Sequence, residues 1–194
     1  ASLDRESIDY YEVLFKATDT IASGQTQKTT YQLWRITVND KNDNTPSFLP
    51  LVDGKFYTMD EQSVAVAGLV VGNFPATDPD INLNSQLVYS VVGVSPNSVP
   101  FDFSGPQAVT TTTSVLDRET CPYYILRLEC RDDANPASDR RTGTLTITVS
   151  LNDINDNTPV ANPTSYSGTI KEDDLGGTIA ATIVATDADL GDNA

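Results

Sequence analysis

The sequence predicts an all-β protein made of tandem antiparallel β-sandwiches, and three observations carry that expectation. Acidic, Asn-rich motifs recur at a shift of 113 residues. Between them, apolar and polar residues alternate with period two. Gly, Pro and Asn punctuate the chain at short intervals, and no long 3.6-residue periodicity competes.

The repeat sets the domain organisation. Leu3-Asp4-Arg5-Glu6 returns as Leu116-Asp117-Arg118-Glu119, and Asn39-Asp40-Lys41-Asn42-Asp43-Asn44-Thr45-Pro46 returns as Asn152-Asp153-Ile154-Asn155-Asp156-Asn157-Thr158-Pro159. Aligned without gaps, residues 3–48 and 116–161 share 15 identities, most of them acidic, Asn, Tyr or Pro. A second series pairs Glu61 with Glu172, and Ala76-Thr77-Asp78-Pro79-Asp80 with Ala185-Thr186-Asp187-Ala188-Asp189. The expected modules are the back half of one repeat with its linker at 1–44, a complete repeat with its linker at 45–157, and the front half of a third at 158–194.

The strands follow from the alternation. Thr144 to Leu151 alternates polar and apolar, which places Ile147, Val149 and Leu151 on one face. Trp34, Ile36 and Val38 occupy the matching positions in the first copy, so Trp34 is expected to pack in a core. Leu126, Leu128 and Cys130 form a second inward row, matched by Val13, Phe15 and Ala17. Met59 and the tyrosines read as core or rim packing. Cys121 and Cys130 lie nine positions apart along one extended segment, on the order of 30 Å, too far for a disulfide. Cys130 is expected to be a buried free thiol, and Cys121 to be exposed and open to pairing outside the chain.

Composition excludes several functions. The 194 residues carry 27 acidic and 12 basic side chains, a net charge of −15, no His and two Cys. That balance opposes nucleic-acid binding, which needs clustered Lys and Arg. It also removes His-dependent catalysis and Cys- or His-based zinc sites. A glycosidase needs one neutral and one charged carboxyl in a cleft, whereas these acids crowd and recur, so no enzyme is expected. No apolar run approaches the roughly 20 residues that span a bilayer, and the first residues do not resemble a signal peptide.

The acids lie where strands end. Asp117 and Glu119 precede the Leu126 strand, Asp132 follows it, and Asp153 to Asn157 follow the strand ending at Leu151. Carboxylates gathered in this way repel unless a cation sits among them. Oxygen ligands without nitrogen or sulfur favour Ca²⁺, which accepts 6–8 oxygens in irregular geometry, over Mg²⁺. An EF-hand starting at Asp78 fails, because its sixth position is Leu83 and its twelfth is Tyr89.

Leu-Asp-Arg-Glu, Asp-x-Asn-Asp-Asn-x-Pro, Asp-x-Asp and a lone early Glu, in this order, resemble the extracellular repeats of cadherins over essentially the whole chain. The resemblance implies Greek-key, immunoglobulin-like sandwiches joined by calcium-binding linkers, with about three Ca²⁺ per complete junction. Carried over residue by residue, the first junction takes Asp4 and Glu6, then Asp40, Asn42, Asp43 and Asn44 with the Lys41 carbonyl. Asp78, Asp80 and Asp132 complete it with the Asn84 carbonyl. The second takes Glu61, Asp117 and Glu119, then Asp153, Asn155, Asp156 and Asn157 with the Ile154 carbonyl, and Asp187 and Asp189 with the Asn193 carbonyl. Asp19 and Glu172 belong to junctions outside this stretch. The implied function is a calcium-stiffened extracellular segment of a cell-adhesion protein. Its implied partners are other cadherin-like ectodomains, homophilic or heterophilic, and its implied parent is anchored at the cell surface. The alternative is a secreted or matrix protein using the repeats as a spacer. Two departures stand out. Pro46-Ser47-Phe48 becomes Pro159-Val160-Ala161, which loses an aromatic anchor. Asn82 replaces the family's usual Gly, and Asn tolerates the left-handed conformation best among the alternatives. The Thr144, Thr146 and Thr148 row is a possible carrier of O-linked sugar, and no N-glycosylation sequon with a permitted middle residue occurs.

Overall fold

The computed structural model describes residues 2–20, 22–49, 55–96, 100–105, 108–162 and 164–194. Among them there is no α-helix, only three short 3-10 turns at Asn82–Ser85, Ala137–Asp139 and Gly191–Asn193. The strands are β1 (Tyr10–Thr18), β2 (Thr29–Thr37), β3 (Ser47–Phe48), β4 (Lys55–Asp60), β5 (Val70–Asn73), β6 (Ala76–Thr77), β7 (Leu87–Ser95), β8 (Phe101–Ser104), β9 (Ala108–Thr111), β10 (Tyr123–Asp132), β11 (Thr142–Asn152), β12 (Val160–Ala161) and β13 (Ala185–Thr186). The chain divides into two compact units. One takes in Ala1–Ser47, Ala76–Val88 and Cys130–Gly143; the other takes in Phe48–Pro75, Tyr89–Glu129 and Thr144–Ala194.

The second unit holds most of a sheet ordered β4-β11-β10-β7 and all of a three-stranded sheet ordered β5-β9-β8. The inward rows of β10 and β11 form the centre of the core: Leu126, Leu128, Leu145, Ile147, Val149 and Leu151, joined by Phe74, Phe101, Val109, Leu116 and Tyr124. Each fully buried large side chain of this kind contributes about 1.5–3 kcal/mol over its exposed state. Aromatic edges lock the flanks: Phe101 meets Tyr124 at 5.3 Å between centroids, and Tyr57 meets Phe74 at 5.4 Å. Phe48, the expected anchor, packs on this core beside Tyr89. Met59 and Tyr57 pack against the same core.

One pairing departs from the antiparallel expectation. β4 runs parallel to β11, with Leu151 opposite Met59 and Asn152 opposite Asp60. This register delivers Glu61, the next residue along, to the start of the 153–157 linker.

In the first unit, β1 and β2 form an antiparallel hairpin with Val13 opposite Trp34. Trp34 does not pack in a core: it is 58% exposed and touches Phe15 edge-on at 5.2 Å. Its counterpart Ile147 is fully buried. The difference lies in cover, because alternation selects a face and a second sheet must bury it. Among the described residues no further strand joins the β1–β2 sheet, and nearly every residue of both strands is exposed. Cys130 is buried and free as expected. Cys121 is half-buried rather than exposed, packed against the core with its thiol 3.1 Å from the Tyr123 carbonyl.

Also in the first unit, Gly143 lies beside the buried Pro46, and a Cβ there would sit 1.9 Å from the Pro46 carbonyl oxygen and 3.1 Å from Cys130 Sγ. Backbone on one side and a buried thiol on the other leave no flexible group to yield. Gly143→Ala is therefore expected to destabilise the fold by about 2 kcal/mol or more, read from the urea midpoint. Gly176→Ala, whose Cβ meets nothing within 4 Å, is expected to leave that midpoint unchanged.

Candidate metal centre

Each unit carries one cluster of acids, assembled by the same local devices. Asp78 and Asp187 follow the two-residue strands β6 and β13. Each accepts the N–H of the residue two ahead: Asp80 N to Asp78 Oδ1 at 3.0 Å, Asp189 N to Asp187 Oδ1 at 3.1 Å. The linker Asn then clamps the second acid. Asn44 Nδ2 donates to Asp80 Oδ1 at 2.7 Å, and Asn157 Nδ2 donates to Asp189 Oδ1 at 2.7 Å. Asp80 and Asp189 are both buried. Asn82 has φ 58° and Gly191 has φ 60°, so the position that the sequence marked as left-handed is so in both copies. The Asn84 and Asn193 backbones close the 3-10 turns, donating to Ile81 O and Leu190 O at 3.2 Å.

Among the described residues, three groups of carboxylates come close enough to share an ion, each within 4.8 Å: Glu6, Asp43 and Asp80 in the first unit, and Glu119, Asp156 and Asp189 in the second, where Glu61, Asp117 and Glu119 form another. The first two groups occupy matching repeat positions. The remaining acids stand around them in different states. Asp132 ends the inward row of β10 and is fully buried. It accepts the N–H groups of Ala134 and Arg141 at 3.0 and 2.8 Å and Asn42 Nδ2 at 3.2 Å. Asp4 and Asp117 bind their own turns through Ser7 Oγ at 2.8 Å and Thr120 Oγ1 at 2.9 Å. Glu61, also buried, accepts the N–H of Arg118 at 2.7 Å and of Ile154 at 2.9 Å. The Lys41 and Ile154 carbonyls accept Asp43 N and Asp156 N across two-residue turns. Asn155 stays exposed, unlike Asn42, which is half-buried.

Three buried oxygens in these clusters have no hydrogen-bond partner among the described residues: Asn42 Oδ1, Asp78 Oδ2 and Asp187 Oδ2. An unsatisfied buried oxygen costs about 1–3 kcal/mol. Crowded carboxylates, orphaned oxygens and an oxygen-only donor set fit a hard divalent cation.

The sequence profile of the Cadherin domain matches residues 57–150. Rat Cadherin-23 is 35% identical over 192 residues, 99% of this chain and 6% of that protein. The chain belongs to the cadherin family. The Drosophila protocadherin-like wing polarity protein stan is 35% identical over 205 residues, covering 100% of this chain and 6% of its own length. The chain thus spans about 6% of these relatives. Mouse Cadherin-23 EC22–24 superposes with a TM-score of 0.81 at 25% identity, covering 100% of this chain and 58% of that one. The protocadherin gamma B7 extracellular domains 1–4 give 0.74 at 29% identity, covering 99% and 44%. Cadherin domains bind calcium, in keeping with the donor set above.

Two cadherin residues outside the expected ligand set stand at the heart of the clusters. Arg5 contacts Glu6, reaches Asp40 Oδ1 at 2.5 Å and donates to the Pro79 carbonyl at 2.9 Å. Arg118 contacts Glu119, reaches Asp153 Oδ1 at 2.7 Å and lies 3.8 Å from Glu61. Their signal in the sequence was duplication inside Leu-Asp-Arg-Glu, masked there by the acids on either side.

The first linker acid of each motif is held down, whereas Asp156 and Asp78 are pushed up. Burial pushes Asp40 up, but hydrogen bonds from Asn84, Ile81 N–H and Arg5, with the Arg5 charge, hold it below its ordinary value. Asp153 is lowered likewise, its lost hydration outweighed by Asn193, Leu190 N–H and Arg118. Asp156 is raised, by lost hydration and then by the charges of Glu61, Asp189, Asp117 and Asp153. Asp78 is also raised: burial is the largest cause, the Asp80 N–H opposes it, and Asp80, Asp132 and Asp40 add like charge.

A carboxyl raised in the fold stabilises it below the ordinary carboxylate range, and that contribution is lost as pH rises through the raised value. Asp78→Asn removes the charge and keeps an acceptor for Asp80 N–H. In chelator at pH 7 this variant is expected to melt above wild type, with the difference gone at about pH 3, where Asp is protonated. Equal midpoints at pH 7 would contradict the crowding.

Proposed function

We propose that this chain is a calcium-stiffened extracellular segment of a cadherin-like cell-adhesion protein, acting mechanically rather than catalytically. The observation that carries the reading is the repeated triad, Glu6, Asp43 and Asp80 in one unit and Glu119, Asp156 and Asp189 in the other. Bound Ca²⁺ supplies positive charge and takes up oxygen lone pairs. The chain's own residues do the rest. Asn44 and Asn157 hold Asp80 and Asp189 against the linker, and Asp78 and Asp187 each turn one bonded oxygen to the backbone and leave the other free. The leading motif, the linker and the following Asp-x-Asp then answer to one charge, so filling the site resists bending of the linker.

The proposed ligands are the residues named from the resemblance, at about three ions per junction, with module boundaries near 44 and 157. Extracellular calcium modules bind at about 10⁻⁴–10⁻³ M, which keeps such sites filled outside a cell. Other cadherin-like ectodomains are the proposed partners, and the cell surface is the proposed location.

Isothermal titration with Ca²⁺, and with Mg²⁺ as control, tests this. Millimolar or tighter Ca²⁺ binding to both units is expected, with Asp43→Ala removing sites from the first and Asp156→Ala from the second. No heat at millimolar Ca²⁺, or equal binding of Mg²⁺, would overturn it.

A further inference from the structure

We propose that Arg5 with Asp40 and Asn84, and Arg118 with Asp153 and Asn193, form clasps that hold the linker in register without any ion. Both oxygens of the first linker Asp are served by protein donors, an arginine at one and an Asn side chain with a backbone N–H at the other. Asp40 Oδ1 takes Arg5 Nε at 2.5 Å, while Oδ2 takes Asn84 Nδ2 at 2.8 Å and Ile81 N at 3.3 Å. Asp153 Oδ1 takes Arg118 Nε at 2.7 Å, while Oδ2 takes Asn193 Nδ2 at 2.8 Å and Leu190 N at 3.1 Å. Each Arg continues to a backbone carbonyl inside the Asp-x-Asp segment, Pro79 O at 2.9 Å and Ala188 O at 3.5 Å. Its guanidinium thereby joins three stretches that are distant in sequence. The clasp side chains are largely shielded, with Arg5 and Asp40 14% and 10% exposed, and Arg118 and Asp153 10% and 13%. Charge-assisted hydrogen bonds in such surroundings are about twice as strong as neutral ones.

The acids therefore divide by partner. Asp40 and Asp153 answer to Arg and Asn, whereas Asp78 and Asp187 each keep a buried oxygen without a partner. The clasp positions the linker, and the orphaned oxygens make that position responsive to a cation. The second half of this division rests on the calcium reading; the clasp rests on the contacts alone.

Hydrogen–deuterium exchange of the whole chain, in chelator and in millimolar Ca²⁺, separates the two. In chelator, Arg118→Met is expected to speed exchange across residues 153–157 about tenfold, and Arg118→Lys to recover part of the protection by keeping the charge. Asn84→Ala, which removes one donor from Asp40 and leaves every core side chain in place, is expected to loosen residues 40–44 in the same way. Asp187→Asn is expected to leave exchange in chelator unchanged and to abolish the added protection from Ca²⁺. Wild-type exchange rates in chelator for both Arg118→Met and Asn84→Ala would overturn the clasp. Failure of Ca²⁺ to protect wild type would instead overturn the calcium reading and leave the clasp standing.

Discussion

Like charge held at short range governs this molecule. Two unit charges 4 Å apart interact by about 1 kcal/mol in water and about 4 kcal/mol at the dielectric of a protein surface. Three carboxylates within 4.8 Å of one another therefore work against the compact state by several such terms. The protein meets this cost at the level of individual oxygens. Asp132 is satisfied by backbone N–H groups and Asn42, Asp4 and Asp117 by the hydroxyls and amides of their own turns, and Asp40 and Asp153 by arginine. The oxygens left over on Asn42, Asp78 and Asp187 are those for which the fold offers no donor.

Strand geometry makes this distribution possible. The inward row of β10 runs Tyr124, Leu126, Leu128, Cys130 and then Asp132. A carboxylate arrives in a fully buried position because the two-residue period continues past the last apolar side chain. Parallel pairing of β4 with β11 does the same for Glu61, setting it beside Asn152, whose carbonyl accepts the Glu61 N–H at 3.1 Å. The acids thus stay ordered, with the strands that carry them anchored in the core several residues away.

The sequence made the β class, the inward rows of β10 and β11 and the gathering of acids legible, because all three are periodic or duplicated. It misled at Trp34. Its register matches that of Ile147, yet burial depends on a facing sheet, and alternation within a strand carries no information about one. The parallel β4–β11 register was hidden because pairing direction leaves no mark on either strand's own pattern. Arg5 and Arg118 were written in the duplicated motif, but their role depends on which acid each reaches, and Asp40 lies 35 positions from Arg5. The half-burial of Cys121 was likewise set by side chains remote in sequence, those of the core it packs against.

The two clusters differ in their surroundings more than in their geometry, and that contrast locates the information for the site. Between residues 164 and 184 no strand forms, and Ile170, Leu175, Ile179 and Ile183 are exposed. Val160 and Ala161 stand where the other copy has Ser47 and the core-packed Phe48. Even so, Asp187, Asp189 and Asn193 repeat the arrangement of Asp78, Asp80 and Asn84, hydrogen bond for hydrogen bond. A site dependent on core packing would have degraded along with its support. What the two copies share is short-range: a side-chain-to-backbone turn at the first Asp, a left-handed residue opening a 3-10 turn, a linker Asn, and an Arg from the preceding motif. These devices need only a few residues each and survive changes in the sandwich around them. The capacity to gather acids is thus a property of the motif, and the sandwich supplies the fixed ends between which the motif is held.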